Sequence, residues 1–201
     1  MPGQTDPMSF TAFSADGHAV EWATWDDAHR ETFTLTWENE AWTATGHVGR
    51  EDVQYVMRLS ATWHVRQFLL FRDLEEPDLW LALDTRHHWG EMNGAYRPDL
   101  HGCVDIELDC TPFTPAIPIR RLGLDRLGVG EAAELPIIEV NVETLSAVPV
   151  LVRYERVGES SWRRVTAGDG RVREFELDDH GLVAVEPGRF RRRRPAPGAT
   201  R

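Results

Sequence analysis

The sequence predicts an all-β protein, and three observations lead to that expectation. Apolar and polar residues alternate with a period of two along most of the chain, which is typical of strands with one buried face. No segment repeats apolar residues at i, i+3, i+4 and i+7 over a dozen residues, as an amphipathic helix would. Gly, Pro, Asp and Asn mark the breaks between segments. Without helices to cover a parallel sheet, the strands are expected to form an antiparallel roll, barrel or sandwich.

The clearest single element lies at residues 32–37. Phe33, Leu35 and Trp37 fall on one face of this segment and threonines on the other. Glu38-Asn39-Glu40 then predicts a turn, with residues 41–45 as the returning strand of a hairpin. Further strands are predicted at residues 53–60, 67–72, 79–83, 102–110, 137–142, 149–156, 162–166, 172–177 and 182–186.

One segment, Leu122 to Leu135, is a candidate helix. Gly123, Gly128 and Gly130 lie within it, and each glycine weakens a helix by about 1 kcal/mol relative to alanine. We therefore expect at most one or two short helices.

Composition excludes several classes of function. All 22 basic residues are arginine, so neither a P-loop lysine nor a lysine Schiff base is possible. The net charge is −11, and residues 189–201 hold six arginines without an acidic residue, so the remainder is more acidic still. An acidic body repels phosphate backbones, which argues against nucleic-acid binding.

The length of 201 residues suits a single domain. We expect a core at about 30–190, a looser N-terminal segment at 1–28, and a flexible Arg- and Pro-rich tail at 190–201. No apolar run approaches the ~18–20 residues that cross a bilayer, and the first ten residues do not resemble a secretion signal. These features predict a cytoplasmic protein.

The two cysteines point the same way. Cys103 and Cys110 are seven residues apart on one predicted strand, about 23 Å at ~3.3 Å per residue. A disulfide between them would break the strand, so we expect two reduced thiols.

The densest polar pattern is His101 to Asp109. Alternation places Asp105 and Glu107 on one face of this predicted strand, and Arg120 and Arg121 follow a proline-rich segment. One interpretation is a solvated strand face whose carboxylates pair with the arginines. The other is a polar rim above an apolar hollow, where the carboxylates orient Arg120 or Arg121 toward ligand oxygens. A buried pair between Arg120 and Asp105 is the specific hypothesis.

Tryptophan is unusually frequent, with eight residues against three tyrosines. Each indole could be core filler, but as a set they could line a cavity for a lipid tail or stack on sugar rings. Nucleophilic and metal chemistry find less support. The sequence lacks a Gly-x-Ser-x-Gly motif, and the His-x-x-Glu pattern at His88 to Glu91 is weak. We therefore predict neither catalytic residues nor a metal or other cofactor.

Two blocks of the sequence resemble a known family. Gly102 to Leu108, Thr111 to Thr114 and Ile117 to Arg121 resemble the signature of the bacterial family named "Putative glycolipid-binding", and Gly181 to Val183 with Pro187 to Arg191 is similar to its C-terminal end. This resemblance implies a spiral β-roll, a single strongly curved antiparallel sheet with an apolar concave side. It further implies that the chain binds a glycolipid or another lipid-like amphiphile without catalysing a reaction.

The expected ligand site therefore combines the polar strand, the segment after it and tryptophans of the concave face. The candidate residues are Asp105, Glu107, Thr111, Thr114, Arg120, Arg121, Trp37, Trp63 and Trp80. Two alternatives remain open. A hydrolase or isomerase acting on a glycolipid or sugar through Asp105 and Glu107 would hold a carboxylate or histidine of perturbed pKa in its cavity. A protein-interaction module would instead expose a large apolar patch.

Overall fold

A computed structural model describes residues 10–49, 52–72, 75–91 and 93–193. Fourteen strands form a single sheet in this part of the chain. They are β1 His18–Thr24, β2 Arg30–Glu38, β3 Ala41–Val48, β4 Val53–Ser60, β5 Val65–Phe71, β6 Leu79–Leu83, β7 Trp89–Glu91, β8 Asp105–Leu108, β9 Ala132–Val140, β10 Ala147–Arg156, β11 Ser161–Thr166, β12 Val172–Leu177, β13 Val183–Glu186 and β14 Phe190–Arg193. One α-helix, α1 Ala116–Leu122, and two 3₁₀ turns, Pro98–Leu100 and Leu124–Arg126, accompany them.

The sheet is curved and open, with strand order β7-β6-β5-β4-β3-β2-β1-β14-β13-β12-β11-β10-β9-β8. Every neighbouring pair is antiparallel except β8 with β9, which is parallel. The sheet does not close into a barrel. The predicted all-β class, with a single strongly curved sheet, is therefore confirmed.

Local sequence explains the regular part of the sheet. Along β2 the inward residues Glu31, Phe33 and Leu35 are buried and their neighbours exposed, as the period of two predicts. The turn to β3 consists of Asn39 and Glu40 at φ of 52° and 57°. Positive φ at both central residues defines the two-residue turn whose twist matches an antiparallel hairpin.

The β8 end of the sheet is buried on both faces. Ile106 and Leu108 of β8 pack into the apolar core of strands β1–β7, while Asp105 and Glu107 point to the opposite face. On β9, Ile138 belongs to that same core and its neighbour Ile137 to a second core formed with β10–β13. The last strands therefore lie inside the curve of the sheet.

The segment between β8 and β9 fills the concave side. Residues 111–119 are all buried, and α1 begins after Pro115 within them. Pro118 is tolerated because the first backbone N–H groups of a helix have no intrahelical acceptor. Gly123, at φ 61°, ends the helix in the left-handed conformation. The helix expected at Leu122 to Leu135 was thus placed too late, because the prolines at the start of the true helix argue against a helix there.

Two expectations about the chain ends also need correction. β1 lies within the segment expected to be loose, yet it pairs with both β2 and β14 near the middle of the sheet. β14 lies within the expected tail, and the rest of that tail, 194–201, falls outside the described residues, as do 1–9. No helix in the described ranges is long and apolar enough to span a bilayer.

Candidate functional site

The predicted polar strand is the centre of a buried ion network. Oε1 of Glu107 lies 2.6 Å from a guanidinium nitrogen of Arg173, and its Oε2 lies 2.6 Å from Nη2 of Arg164. Arg173 also binds both carboxylate oxygens of Glu186, at 2.7 and 2.9 Å. All four side chains are almost fully buried. Burial raises the pKa of Glu107, and the two arginines oppose that effect.

These pairings revise the expected surroundings of Glu107. Its arginines come from β11 and β12 and not from the 120–121 pair. The alternation on β8 was predicted correctly, but its polar face is neither solvated nor a rim. Arg164 and Arg173 occupy inward positions of their strands, so the charges of both elements meet in the interior. An interior pair of this kind is costly to break and positions its strands.

Asp105 pairs with Arg121 and not with Arg120. The guanidinium of Arg121 binds both carboxylate oxygens, at 2.9 and 2.6 Å. Asp105 is 1% exposed and the side chain of Arg121 10%. Burial raises the pKa of Asp105 while Arg121 opposes it. The hypothesis of an Arg120–Asp105 pair is therefore wrong, because successive helical residues point in different directions.

Arg120 has an aromatic environment instead. Its guanidinium carbon lies 4.6 Å from the ring centre of Phe13, 4.7 Å from that of Trp63 and 5.5 Å from that of Phe10. It donates a hydrogen bond to the backbone carbonyl of His180. No carboxylate of the described residues forms an ion pair with it, and burial lowers its pKa to about 10. This partly exposed cation is therefore held by π-faces.

The aromatic surface continues away from Arg120. Trp63 lies 6.5 Å from Trp42 between ring centres, and Trp42 lies 4.8 Å from Trp37. Phe13 packs edge-on against Trp42. We call this group, with Arg120, the aromatic mouth. It brings together three of the predicted site residues, Trp37, Trp63 and Arg120.

Further nitrogen groups border the aromatic mouth. The rings of His18 and His180 lie 4.6 Å apart, and His180 stacks on Phe13 at 5.0 Å. Arg192 pairs with Asp178 nearby. Within the described part of the chain, Nε2 of His18 and both Nε and Nη2 of Arg192 are buried without a hydrogen-bond partner. Burial first, then His180 and Arg192, lowers the pKa of His18. Arg192 thus contributes two buried N–H groups without an acceptor among the described residues.

The remaining predicted residues lie elsewhere. Trp80 is on β6 between the inward residues Leu79 and Leu81, so its ring belongs to the other face of the sheet. Thr114 is buried against the backbone of Leu108, 3.4 Å away, where it holds the turn after β8. Thr111 is buried too, but its hydroxyl points to a carboxylate that sequence reasoning missed.

That carboxylate is Glu31, which is 3% exposed on β2. Its Oε1 accepts hydrogen bonds from Thr111 at 2.7 Å and from the Tyr55 hydroxyl at 2.8 Å. An available signal was its place in the alternation, two residues before Phe33 and on the same inward face. The predicted strand began at Thr32, one residue too late to include it.

Open clefts occur at the ends of two groups of strands. One, of about 380 Å³, is formed by the loop after β1 and the turn between β13 and β14, and the other, of about 290 Å³, adjoins β6 and β7. Neither is lined by Trp37, Trp63 or Trp80. Among the described residues we find no cluster of three or more His, Cys, Asp or Glu side chains placed to hold a metal ion. Cys103 and Cys110 are both buried and not joined by a disulfide.

The fold and these contacts define a class of protein, an open and strongly curved β-roll. The segment between β8 and β9 fills its concave side, and Arg120 with its aromatic neighbours lies where the buried part of that segment ends. The sequence profile of the family described as "Putative glycolipid-binding" matches residues 19–192, so the chain belongs to this family.

A solved structure agrees with that assignment. The chain is similar to a DUF1089 family protein from Pseudomonas aeruginosa, with 25% sequence identity and a TM-score of 0.63. The similarity covers 92% of this chain and 98% of that one. No curated protein matches the sequence significantly.

Proposed function

We propose that the protein binds an amphiphilic ligand, lipid-like or glycolipid, at the aromatic mouth, without catalysing a reaction. The observation that carries this proposal is the state of Arg120. A guanidinium is usually neutralised by a carboxylate when it is partly buried. Here the described residues offer it aromatic faces and one backbone carbonyl. Its remaining N–H groups are therefore available to a ligand oxygen.

The residues next to Arg120 suit the apolar half of an amphiphilic ligand. Trp37 and Trp42 are partly exposed and continue the apolar surface outward from Trp63. Indole rings provide wide apolar faces that suit both acyl chains and the flat side of a sugar ring. The ligand's polar group would lie on Arg120 and its apolar part along these tryptophans. The family name is consistent with such a ligand.

Native mass spectrometry of the protein, purified without detergent from its own host, tests this proposal. We expect a bound adduct of lipid-like mass. Arg120→Gln should reduce its occupancy about tenfold or more, because a hydrogen bond to a charged group contributes about 1.5–3 kcal/mol.

The matched control is Arg163→Gln. Arg163 is a solvent-exposed arginine on β11 that pairs with Glu174 on the outer surface. The control should retain the adduct of the wild-type protein. Equal loss or equal retention in both variants would place the ligand away from Arg120, and a spectrum of the bare chain alone would contradict the proposal.

A further inference from the structure

Glu31 differs from the other buried carboxylates of the protein. Asp105, Glu107 and Glu186 each contact an arginine. Glu31 forms no ion pair with any described residue; its Oε1 accepts two hydrogen bonds, from Tyr55 and Thr111. Its Oε2 is buried and makes no hydrogen bond within the described chain. One oxygen of this carboxyl group thus has two hydrogen-bond partners, and the other has none among the described residues.

The chemistry of its surroundings determines which oxygen carries a proton. Burial raises the pKa of Glu31 to about 8 even though the two hydrogen bonds oppose the shift, so the group is mostly protonated at neutral pH. Both neighbouring hydroxyls donate to Oε1, which therefore acts as the acceptor. The proton is left on Oε2, as an O–H donor without an acceptor.

Glu31 lies against a small cavity. Its walls include the apolar side chains of Trp22, Val48 and Phe190, together with Cys110. The volume is about 10 Å³, which is room for a single water-sized group. An atom in this cavity would meet mostly apolar surface, and Glu31 shares the wall with Thr24, His29 and Arg30.

The cavity adjoins the open cleft of about 380 Å³. Thr24, His29 and Phe190 line both spaces, and the half-exposed Trp25 and the side chain of Arg189 border the outer one. The two spaces are therefore adjacent, with the wide cleft outside and the narrow cavity beside Glu31. The cleft begins at Thr24, whereas His18, which borders the aromatic mouth, lies at the other end of β1.

We propose that this cleft is a second ligand site, in which Glu31 donates a hydrogen bond to an uncharged carbonyl or hydroxyl oxygen of a small compound. The apolar walls of the inner cavity could not solvate a charged group. The charged residues that line the two spaces, Arg30, Arg189 and Asp26, are of both signs, so the preference for an uncharged group rests on the apolar walls of the inner cavity. Because the O–H group of Glu31 has no acceptor, it would select a ligand atom that accepts a hydrogen bond. The body of the ligand would lie in the outer cleft beside Trp25.

Three ring compounds of matched shape test the site: cyclohexanol, cyclohexanone and cyclohexylammonium. Binding is followed by NMR, from the carboxyl carbon of Glu31 and the indole N–H of Trp25. We expect saturable shifts of both signals with the alcohol and the ketone, and an affinity about tenfold or more lower for the cation.

Two variants separate hydrogen bonding from shape. Glu31→Gln keeps an acceptor for Tyr55 and Thr111 and an N–H donor toward the cavity, so it should retain the affinity for cyclohexanone within about threefold. Glu31→Leu removes the donor and should lose about tenfold or more. If Glu31→Leu does not fold, the pH dependence of cyclohexanone binding to the wild-type protein and to Glu31→Gln tests the proposal instead.

That comparison isolates the carboxyl group. Cyclohexanone binding to the wild-type protein should weaken as pH rises through about 8, where Glu31 ionises, while Glu31→Gln remains unchanged. The other titratable or charged neighbours are present in both proteins: Tyr55, Cys110, Asp26, His29, Arg30 and Arg189. Tightest binding of the cation, wild-type affinity in Glu31→Leu, or the same pH profile in Glu31→Gln would overturn the proposal. None of these results depends on Arg120, so failure here and failure of the aromatic mouth are distinguishable.

Discussion

At the scale of single residues, two adjacent arginines have opposite roles. Arg121 neutralises a buried carboxylate, whereas Arg120 contacts aromatic rings. The sequence placed both beside Asp105 but could not assign them, because a one-residue difference on a helix changes the direction of a side chain by about 100°. Only the position of the helix decides which arginine reaches the carboxylate. The sequence did not predict that helix, because prolines lie at its start.

The Asp105–Arg121 pair gives the first prediction. Arg121→Ala should lower the free energy of unfolding by about 3–5 kcal/mol, because it leaves a buried carboxylate without its partner. Adding Asp105→Asn should recover much of that loss. Denaturant melts of the wild type, both single variants and the double variant measure the coupling. Arg163→Ala, which breaks an exposed pair, should cost about 0–1 kcal/mol. A loss for Arg121→Ala as small as that of Arg163→Ala would refute the prediction.

Glu31 predicts a dependence of stability on pH. Its folded-state pKa of about 8 lies above the ordinary value of 4.5, so the folded protein binds the proton more tightly than the unfolded chain. Its contribution to stability is therefore fully present below about pH 4.5 and is lost as pH rises to about 8, by roughly 4–5 kcal/mol in total.

Glu31→Gln, which has the same shape without the ionisation, isolates this effect. Its stability relative to the wild-type protein should increase between pH 5 and 8, as measured by denaturant melts at each pH. The difference between the two proteins should then level off above about pH 9. A difference that does not vary with pH would show that Glu31 titrates normally.

At the scale of elements, β3 and β4 show how a glycine supports the region around Glu31. Gly46 pairs directly with Tyr55, and a Cβ atom added at Gly46 would lie 2.2 Å from the tyrosine ring. The ring can reach Glu31 only because it lies across a residue without a side chain. Sequence alternation predicted both strands, but a cross-strand contact depends on register, which a single sequence leaves undetermined.

Gly46→Ala should therefore destabilise the protein by about 1–3 kcal/mol and displace the Tyr55 ring. Gly168→Ala is the matched control, since a Cβ atom there would meet no atom within 4 Å. Thermal melts compare the two, and the NMR signal of the Glu31 carboxyl carbon reports the displaced hydroxyl. Combining Gly46→Ala with Tyr55→Leu should restore part of the stability. If Gly46→Ala melts like Gly168→Ala, the close contact does not exist.

At the scale of the whole molecule, the sequence predicted the fold class and most strands because they alternate with one buried face. It missed β1, β7 and β14, of which β7 and β14 are only three and four residues long, and it misjudged the surroundings of β8. Alternation reports the two faces of a strand but not what covers each of them. The polar face of β8 is covered by arginines that follow about 60 residues later in the chain, so no local pattern could reveal a buried ion network.

The way in which the two apolar cores are joined gives the last prediction. Ile117 of α1 belongs to the core of strands β1–β7, and Ile119 in the same turn belongs to the core of β9–β13. Ile138 and Ile137 of β9 make the same division. Because one short helix and one strand are shared, neither core can lose its packing alone. We therefore expect the protein to unfold as one cooperative unit.

Two tryptophans report the two cores separately: Trp89 in the first and Trp162 in the second. The assigned indole N–H signals of these two tryptophans, followed by NMR through one denaturant titration, should show the same midpoint and the same slope. Ile117→Ala and Ile119→Ala should each cost about 2–5 kcal/mol and shift both reporters together, although each isoleucine contacts one core. Separate midpoints at Trp89 and Trp162 would show instead that the halves of the sheet fold independently, with α1 as a link between them.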